Sequence, residues 1–301
     1  MAARDSELVG GDPPFITNST KPGTVAILGL GLMGGSLGLA LRARGGAEKV
    51  IGWNRSASVL AVAKEMGVVD LVASDPRGAV AEADLVVLAV PVQVVASLAE
   101  TILPALKPDC VITDVGSTKT RLVAETEAIL GGRFVGGHPM AGSEASGIEE
   151  ANSKLYERAA WVLTPTPVTW PQALERVTQL VVSVGAIPYQ CSPEKHDRIV
   201  ASLSHLPHIL AYGLAHTAGK QVEPEWGAIA AGSFRDGARV AKSDPALWSG
   251  ILSDNRAAVL ESLDEFLAWA RQVRAALAED DAETLREMIT RAHEARNQLP
   301  G

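Results

Sequence analysis

Two short stretches of this chain carry residue types that could do chemistry together. Gly29-Leu30-Gly31-Leu32-Met33-Gly34 directly follows the apolar run Val25-Ala26-Ile27-Leu28 and opens a helical stretch. A Gly-x-Gly-x-x-Gly pattern alone says little. Between a strand and a helix it is the phosphate-binding turn of a βαβ unit. Gly29 allows the tight turn, Gly31 lets the backbone approach a pyrophosphate, and Gly34 permits close helix–sheet packing. The N–H groups of Leu32, Met33 and Gly34 at the helix start then face the phosphates. The second stretch is Gly136-Gly137-His138-Pro139-Met140-Ala141-Gly142-Ser143-Glu144, which ends another strand. Taking hydride from a carbinol carbon requires the hydroxyl proton to leave as well, and a neutral imidazole near pH 7 accepts it. His138 is the candidate base.

Further polar residues gather around these two. At the end of the second strand stands Trp53-Asn54-Arg55-Ser56, with Asn54 20 residues beyond Gly34. A carboxylate is usual there in NAD sites, to bind the ribose 2′-hydroxyl. None is present; Asn54 stands there as a candidate cofactor contact, and Arg55 with Ser56 suits a 2′-phosphate. The reading prefers NADP and leaves NAD open. Val90 and Pro91 end a later strand and border the same cleft. Ser117, in Gly116-Ser117-Thr118-Lys119, reads either as a helix N-cap or as a hydroxyl facing nicotinamide or substrate. His205 and His208 lie three apart and share a helix face, with Pro207 marking a start or kink. No third ligand accompanies them, so no metal is expected. Arg235 and Arg239 lie four apart, and an arginine fork suits a carboxylate. For Arg235 a surface ion pair with Asp236 or a neighbour is an equal reading.

The elements that must position these groups follow from hydrophobic patterning. Nearly continuous apolar runs at Thr24–Leu28, Lys49–Trp53, Asp84–Ala89, Cys110–Asp114, Phe134–Gly136, Trp161–Thr164 and Ile187–Gln190 read as strands covered on both faces. Helical stretches fall between them at Gly35–Arg44, Ser58–Met66, Val92–Leu103, Thr118–Ala128 and Gln172–Val184. Strand, helix, parallel strand is a doubly wound α/β sheet of Rossmann type, here 24–191. From 192 to 301 only amphipathic helical runs appear, such as Glu194–Ala218, Pro245–Leu277 and Ala282–Ala295. This predicts an all-α C-terminal domain. Residues 1–23 read as a flexible tail, without the apolar core of a signal peptide.

Composition bounds the rest. With 27 basic and 35 acidic side chains the formal charge is −8, against a nucleic-acid or anionic-membrane partner. The most apolar run, Leu85–Leu98, is interrupted by Pro91 and Gln93 and is too short to span a bilayer. Two cysteines, Cys110 and Cys191, have no metal-ligand spacing, which fits a reducing cytoplasm.

In sequence order, Gly-Leu-Gly-Leu-Met-Gly-Gly-Ser (29–36), Asp-Val-Gly-Ser-Thr-Lys (114–119), Gly-Gly-His-Pro-Met-Ala-Gly (136–142), Ser-His-Leu-Pro-His (204–208) and Phe-Arg-Asp-Gly-Ala-Arg-Val-Ala (234–241) resemble the prephenate/arogenate dehydrogenases of tyrosine biosynthesis. The resemblance runs from about Thr24 to about Arg274. It implies NAD(P)-dependent oxidative decarboxylation of prephenate to 4-hydroxyphenylpyruvate, or of arogenate to tyrosine. His138 then takes the ring hydroxyl proton, and Ser117 assists at that hydroxyl and the nicotinamide. His208 and Arg239 bind substrate, the arginine facing a carboxylate. His196, in Glu-Lys-His-Asp, and His205 line or support the cleft, while Glu144 and Asp236 gate it. A homodimer through the helical domain is implied too. A β-hydroxyacid dehydrogenase is the nearest enzyme rival, but Lys195 is a poor match for its lysine base. A non-catalytic NADP(H) sensor is the rival from another class, and it has no use for Ser117, His138, His208 and Arg239 together.

Overall fold

A computed structural model describes residues 22–142 and 145–299. Its first half alternates β1 (Thr24–Leu28), α1 (Leu32–Arg44), β2 (Lys49–Trp53), α2 (Ala57–Glu65), β3 (Leu71–Val72), α3 (Pro76–Val80), β4 (Leu85–Leu88), α4 (Val92–Ile102), β5 (Val111–Asp114) and α5 (Thr120–Leu130). There follow β6 (Phe134–Pro139), β7 (Ala160–Thr164), α6 (Pro171–Ser183) and β8 (Ile187–Gln190). The strands form one sheet in the order β3-β2-β1-β4-β5-β6-β7-β8. The order reverses between β1 and β4, and a ligand crevice opens at the carboxyl ends of strands at such a switch point. Successive strand residues face opposite sides. Accordingly Val25, Ile27 and Val87 pack with Leu37, Leu41, Val177 and Val181 of α1 and α6. Ala26, Leu28, Val86 and Leu88 pack on the other face with Val95, Ala99 and Ile102 of α4 and Leu122 of α5.

The second half is helical: α7 (Pro193–Val200), α8 (Leu206–Gln221), α9 (Gly232–Ala238), α10 (Pro245–Asp254), α11 (Arg256–Ala278) and α12 (Ala282–Gln298). Between α7 and α8 the residues Ala201–His205 wind as a π turn. Pro207 follows directly on this π turn in a helix that runs unbroken from α7, with the Leu206 N–H bonded to the Ala201 carbonyl, and the widened turn accommodates a ring that has no N–H to donate. No helix among the described residues is long and apolar enough to cross a membrane.

The structure departs from the sequence reading in four places. β3 and α3 were not expected. β3 is a two-residue edge strand with both side chains exposed, too short for a periodic signal. α3 is started by Asp75, whose carboxylate accepts from the N–H groups of Arg77 and Gly78, with Pro76 at its first position. β7 runs antiparallel to β6, so the sheet is not parallel throughout. That pairing extends β6 to Pro139, so His138 lies on the strand instead of in the loop after it, opposite Val162. The expected continuous run Pro245–Leu277 breaks at Asn255, whose side chain is occupied elsewhere.

Candidate active site

The glycines of the first turn are shaped for a dinucleotide. Gly29 has φ of 101°, and a Cβ there would come within 2.2 Å of the Ala89 carbonyl oxygen. A Cβ on Gly34 would sit 1.9 Å from the Gly29 carbonyl oxygen, so both positions exclude a side chain. Gly31 differs: a Cβ there meets nothing within 4 Å, leaving open space in front of the backbone. Gly31 is also the N-cap of α1 and no side chain caps that helix end. Uncapped N–H groups facing open space are what a pyrophosphate needs, and the residues present fit one. Asn54 does not reach outward; its Oδ1 accepts the Leu30 N–H at 3.1 Å and ties β2 to the glycine turn. Arg55 is exposed just beyond it. Ser56 precedes α2 but its hydroxyl pairs with Ser58 at 2.7 Å instead of capping the helix. Val90 and Pro91 border the turn, with Val90 Cγ1 3.0 Å from the Cβ position of Gly29.

Behind the next two strand ends lies a buried ion pair. Lys119 and Asp114 side chains are fully buried, and Lys119 Nζ donates to Asp114 Oδ2 at 2.6 Å. The same carboxylate accepts the N–H of Gly116 at 2.7 Å and of Gly137 at 2.9 Å. One side chain therefore fixes the loop bearing Ser117 and the strand bearing His138 relative to each other. Removing either charge would leave its partner buried and unpaired, typically a loss of about 3–5 kcal/mol. Ser117 does not cap α5, contrary to one of its two expected roles. Its hydroxyl is half-buried and has no partner among the described residues. The helix start is capped from the other domain: Asp197 of α7 accepts the N–H of Lys119 and of Thr120, each at 2.8 Å. Thr118 and Arg121 hydrogen-bond Asp254 at the end of α10, a second tie between the halves.

His138 is the centre of this arrangement. Its Nδ1 lies 2.8 Å from His196 Nε2, and His196 Nδ1 lies 2.8 Å from Asp197 Oδ1. Burial works to raise Asp197, yet hydrogen bonds from His196 and Thr120 outweigh it and hold the carboxyl below its ordinary range. An ionised carboxylate only accepts, so His196 Nδ1 carries a hydrogen. Burial keeps His196 neutral against the pull of Asp197, so its Nε2 accepts and His138 Nδ1 donates. Burial likewise pushes His138 well below the ordinary histidine range, reinforced by His196, Lys119 and His205. Neutral His138 then has an unprotonated Nε2, the atom a general base requires.

The helical half supplies the rest. The His208 ring stacks on Trp248 with centroids 3.4 Å apart, and its Nδ1 donates to the Ser204 carbonyl at 2.9 Å. Burial depresses its pKa and the nearby Arg239 charge adds to this. The turn bearing Arg239 packs on α8. Of the two roles open to His196 and His205, lining the cleft or supporting it, the burial fits support, since each is only 1% exposed. His205 Nδ1 accepts from Asn255 Nδ2 at 3.2 Å, while that amide also donates to the Asp197 carbonyl at 2.8 Å. Burial takes His205 down to about 4. Arg235 and Asp236 are both exposed on α9, and Arg235 makes no ion pair among the described residues. Glu144 lies outside the described residues.

Sequence reasoning missed Asp114, Lys119, Asp197, Trp248 and Asn255. Asp197 directly follows His196, and Asp114 ends a buried strand five residues before Lys119; a carboxylate in such apolar company is a signal that it has a partner. Nothing in the sequence singles out Trp248 or Asn255.

A nucleotide cradle at the switch point, with an imidazole two strands beyond β4 on β6 and cationic side chains from a helical domain, defines an NAD(P)-dependent oxidoreductase. Comparison with known proteins narrows this. Residues 37–189 match the family model described as the prephenate dehydrogenase nucleotide-binding domain, and residues 192–291 the prephenate dehydrogenase dimerization domain. A prephenate dehydrogenase of Bacillus subtilis is 37% identical over 92% of this chain and 76% of the relative. A structure of A. aeolicus prephenate dehydrogenase with hydroxyphenyl propionate and NAD+ superposes with a TM-score of 0.87 at 33% identity, covering 94% of this chain and all of that one. Synechocystis arogenate dehydrogenase superposes with a TM-score of 0.78 at 30% identity, over 91% and 99% of the two chains. The chain belongs to the prephenate dehydrogenase family.

Proposed function

We propose that this protein catalyses the NAD(P)-dependent oxidative decarboxylation of prephenate, with arogenate as the alternative substrate, using His138 as the base. The observation that carries this reading is the chain Asp197–His196–His138, which leaves His138 Nε2 unprotonated at the carboxyl end of β6. A nicotinamide dinucleotide held at the glycine turn by the N–H groups at the start of α1 would supply the hydride acceptor for ring C4. His138 Nε2 withdraws the C4 hydroxyl proton as that carbon is oxidised. Loss of CO2 from C1 sends its bonding pair through the ring to the C4 oxygen, which takes the proton back from His138, so the base ends each turnover as it began. Aromatisation supplies much of the driving force. The protein contributes orientation and a placed base. Ser117 presents its free hydroxyl at the same loop cluster, and Arg239 beside His208 serves as the carboxylate partner, with Arg235 as a second, exposed cation near the mouth.

NADP is the proposed preferred cofactor, supported by the lack of an acid at the end of β2 and by exposed Arg55. The NAD+ in the similar A. aeolicus structure belongs to that protein and argues the other way. We also propose a homodimer through the helical half. Trp226, Ile229, Leu260, Trp269 and Leu277 are exposed there, and Leu206, Phe266 and Trp269 line a groove of the helical half. Patches of this kind on a monomer mark contact surfaces. Steady-state kinetics with prephenate and arogenate, each with NAD+ and NADP+, tests the whole reading. Absence of turnover with both acids would refute it.

A further inference from the structure

We infer that the proton taken from the substrate does not stay on His138 but is held on His196 for the lifetime of the oxidised ring, making the two imidazoles a two-proton relay. The inference deepens the base assignment and rests on it. Two facts of geometry carry it. The ring nitrogens of His138 and His196 are 2.8 Å apart with the rings near edge-on, at 67°. Among the described residues the one carboxylate hydrogen-bonded to either ring, Asp197, is on His196 at 2.8 Å and one imidazole away from His138.

A proton arriving at His138 Nε2 creates a cation flanked by Lys119, His196 and His205, all cationic or neutral groups. Moved to His196, the same charge meets the Asp197 carboxylate directly and Asp114 at longer range, with Lys119 the one opposing cation. In a site this dry the adjacent carboxylate makes His196 the better place of the two for the charge. The transfer is complete in bonds. The substrate O–H breaks as His138 Nε2–H forms, and His138 Nδ1–H breaks as His196 Nε2–H forms. His138 is left neutral, with its hydrogen on the nitrogen facing the new carbonyl, where it donates to that oxygen. On decarboxylation the oxygen takes the hydrogen from His138 Nε2, and His196 Nε2–H returns to His138 Nδ1. Asp197 stays ionised throughout, held by the N–H groups of Lys119 and Thr120.

His196→Gln separates relay from mere positioning. A glutamine carbonyl can accept the His138 Nδ1–H and keep that ring in place, but it cannot take a proton. Under single-turnover conditions the relay predicts a hydride-transfer rate about tenfold or more below wild type, with substrate KM and cofactor Kd within about twofold and the acid limb of the rate profile moved. It also predicts a bowed rate dependence on D2O fraction for the wild type, from two protons in motion, becoming linear in H196Q. A rate within about twofold of wild type in H196Q overturns the relay. So does a linear dependence in the wild type, which needs no variant to fold. His138→Gln is the control: if it remains active, the base assignment itself falls, whereas an inactive H138Q beside an active H196Q removes only the relay.

Discussion

The nucleotide-binding half and the helical half contribute to one site with different materials. At the switch point the contacts offered to a cofactor are backbone N–H groups at the start of α1, and the side chains that matter are absent ones, at Gly29, Gly31 and Gly34. The helical half offers side chains: His208 on Trp248, Arg239 beside it, and the His196–Asp197 pair behind His138. Their cores differ in the same sense. The strands β1, β4 and β5 are buried along nearly their whole length, whereas α9 contributes no buried residue and α8 a single one, Ala211. A backbone cradle on a closed core tolerates change outside its glycines. A side-chain set drawn from two domains depends on how they are held together, and here Asp197 and Asp254 do the holding, with Asn255 fixing the Asp197 backbone within the helical half.

The largest effect expected from that contrast is at the junction. His138→Ala should lower kcat by about 10²–10⁴-fold while changing cofactor Kd little, because the glycine cradle is untouched. A parallel loss of cofactor affinity, read by fluorescence titration, would mean the halves are less separable than the contacts suggest. Next in size is a stability effect. His205 is neutral in the fold with its pKa near 4, below the ordinary 6.5. The unfolded chain therefore takes up the proton first. Stability associated with this ring is whole above about pH 6.5 and lost as pH falls toward 4, a span of about 3 kcal/mol. His205→Gln should flatten that part of the melting-temperature profile, and an unchanged slope would show that the ring does not titrate this way.

Arg239→Ala should raise the substrate KM by about 10–100-fold through loss of a charge-assisted pair, with a smaller change in kcat. A fall in kcat alone would move Arg239 from binding to the chemical step. Ile229→Glu, at an exposed apolar residue of the helical half, should shift a concentration-dependent dimer toward monomer in sedimentation without altering the isolated cofactor Kd. The smallest expected effect is at the cradle's rim. Arg55→Ala should reduce the NADP-over-NAD ratio of kcat/KM by about tenfold, and no change in that ratio would assign Arg55 to the adenine or to solvent.

Much of this was legible in advance where the signal is local. Glycine spacing after an apolar strand located the cradle, because only a residue without Cβ can occupy Gly29 and Gly34. Strand runs buried on both faces located β1, β4 and β5. His138 stood out because imidazoles are few and this one follows a strand. The misses were of another kind. β3 and α3 were too short to carry a period, and the extension of β6 through His138 depends on pairing with a strand more than twenty residues later. Asn54 looked like a cofactor ligand but is spent on the Leu30 N–H, and Ser117 looked equally like a cap, a task that Asp197 performs from α7.

The sequence by itself determined the architecture and its chemical cast: a doubly wound sheet, a glycine turn for phosphates, an imidazole on a strand end, arginines on later helices. These follow from periodicity, steric tolerance and side-chain chemistry, all properties of residues close together in the chain. Tertiary structure alone decided which of those groups touch. The nitrogen that His138 leaves bare is set by Asp197, 59 positions away, through an intervening histidine. Hydrogen-bond direction is a property of a closed network, and a network across two domains exists only once both have folded together.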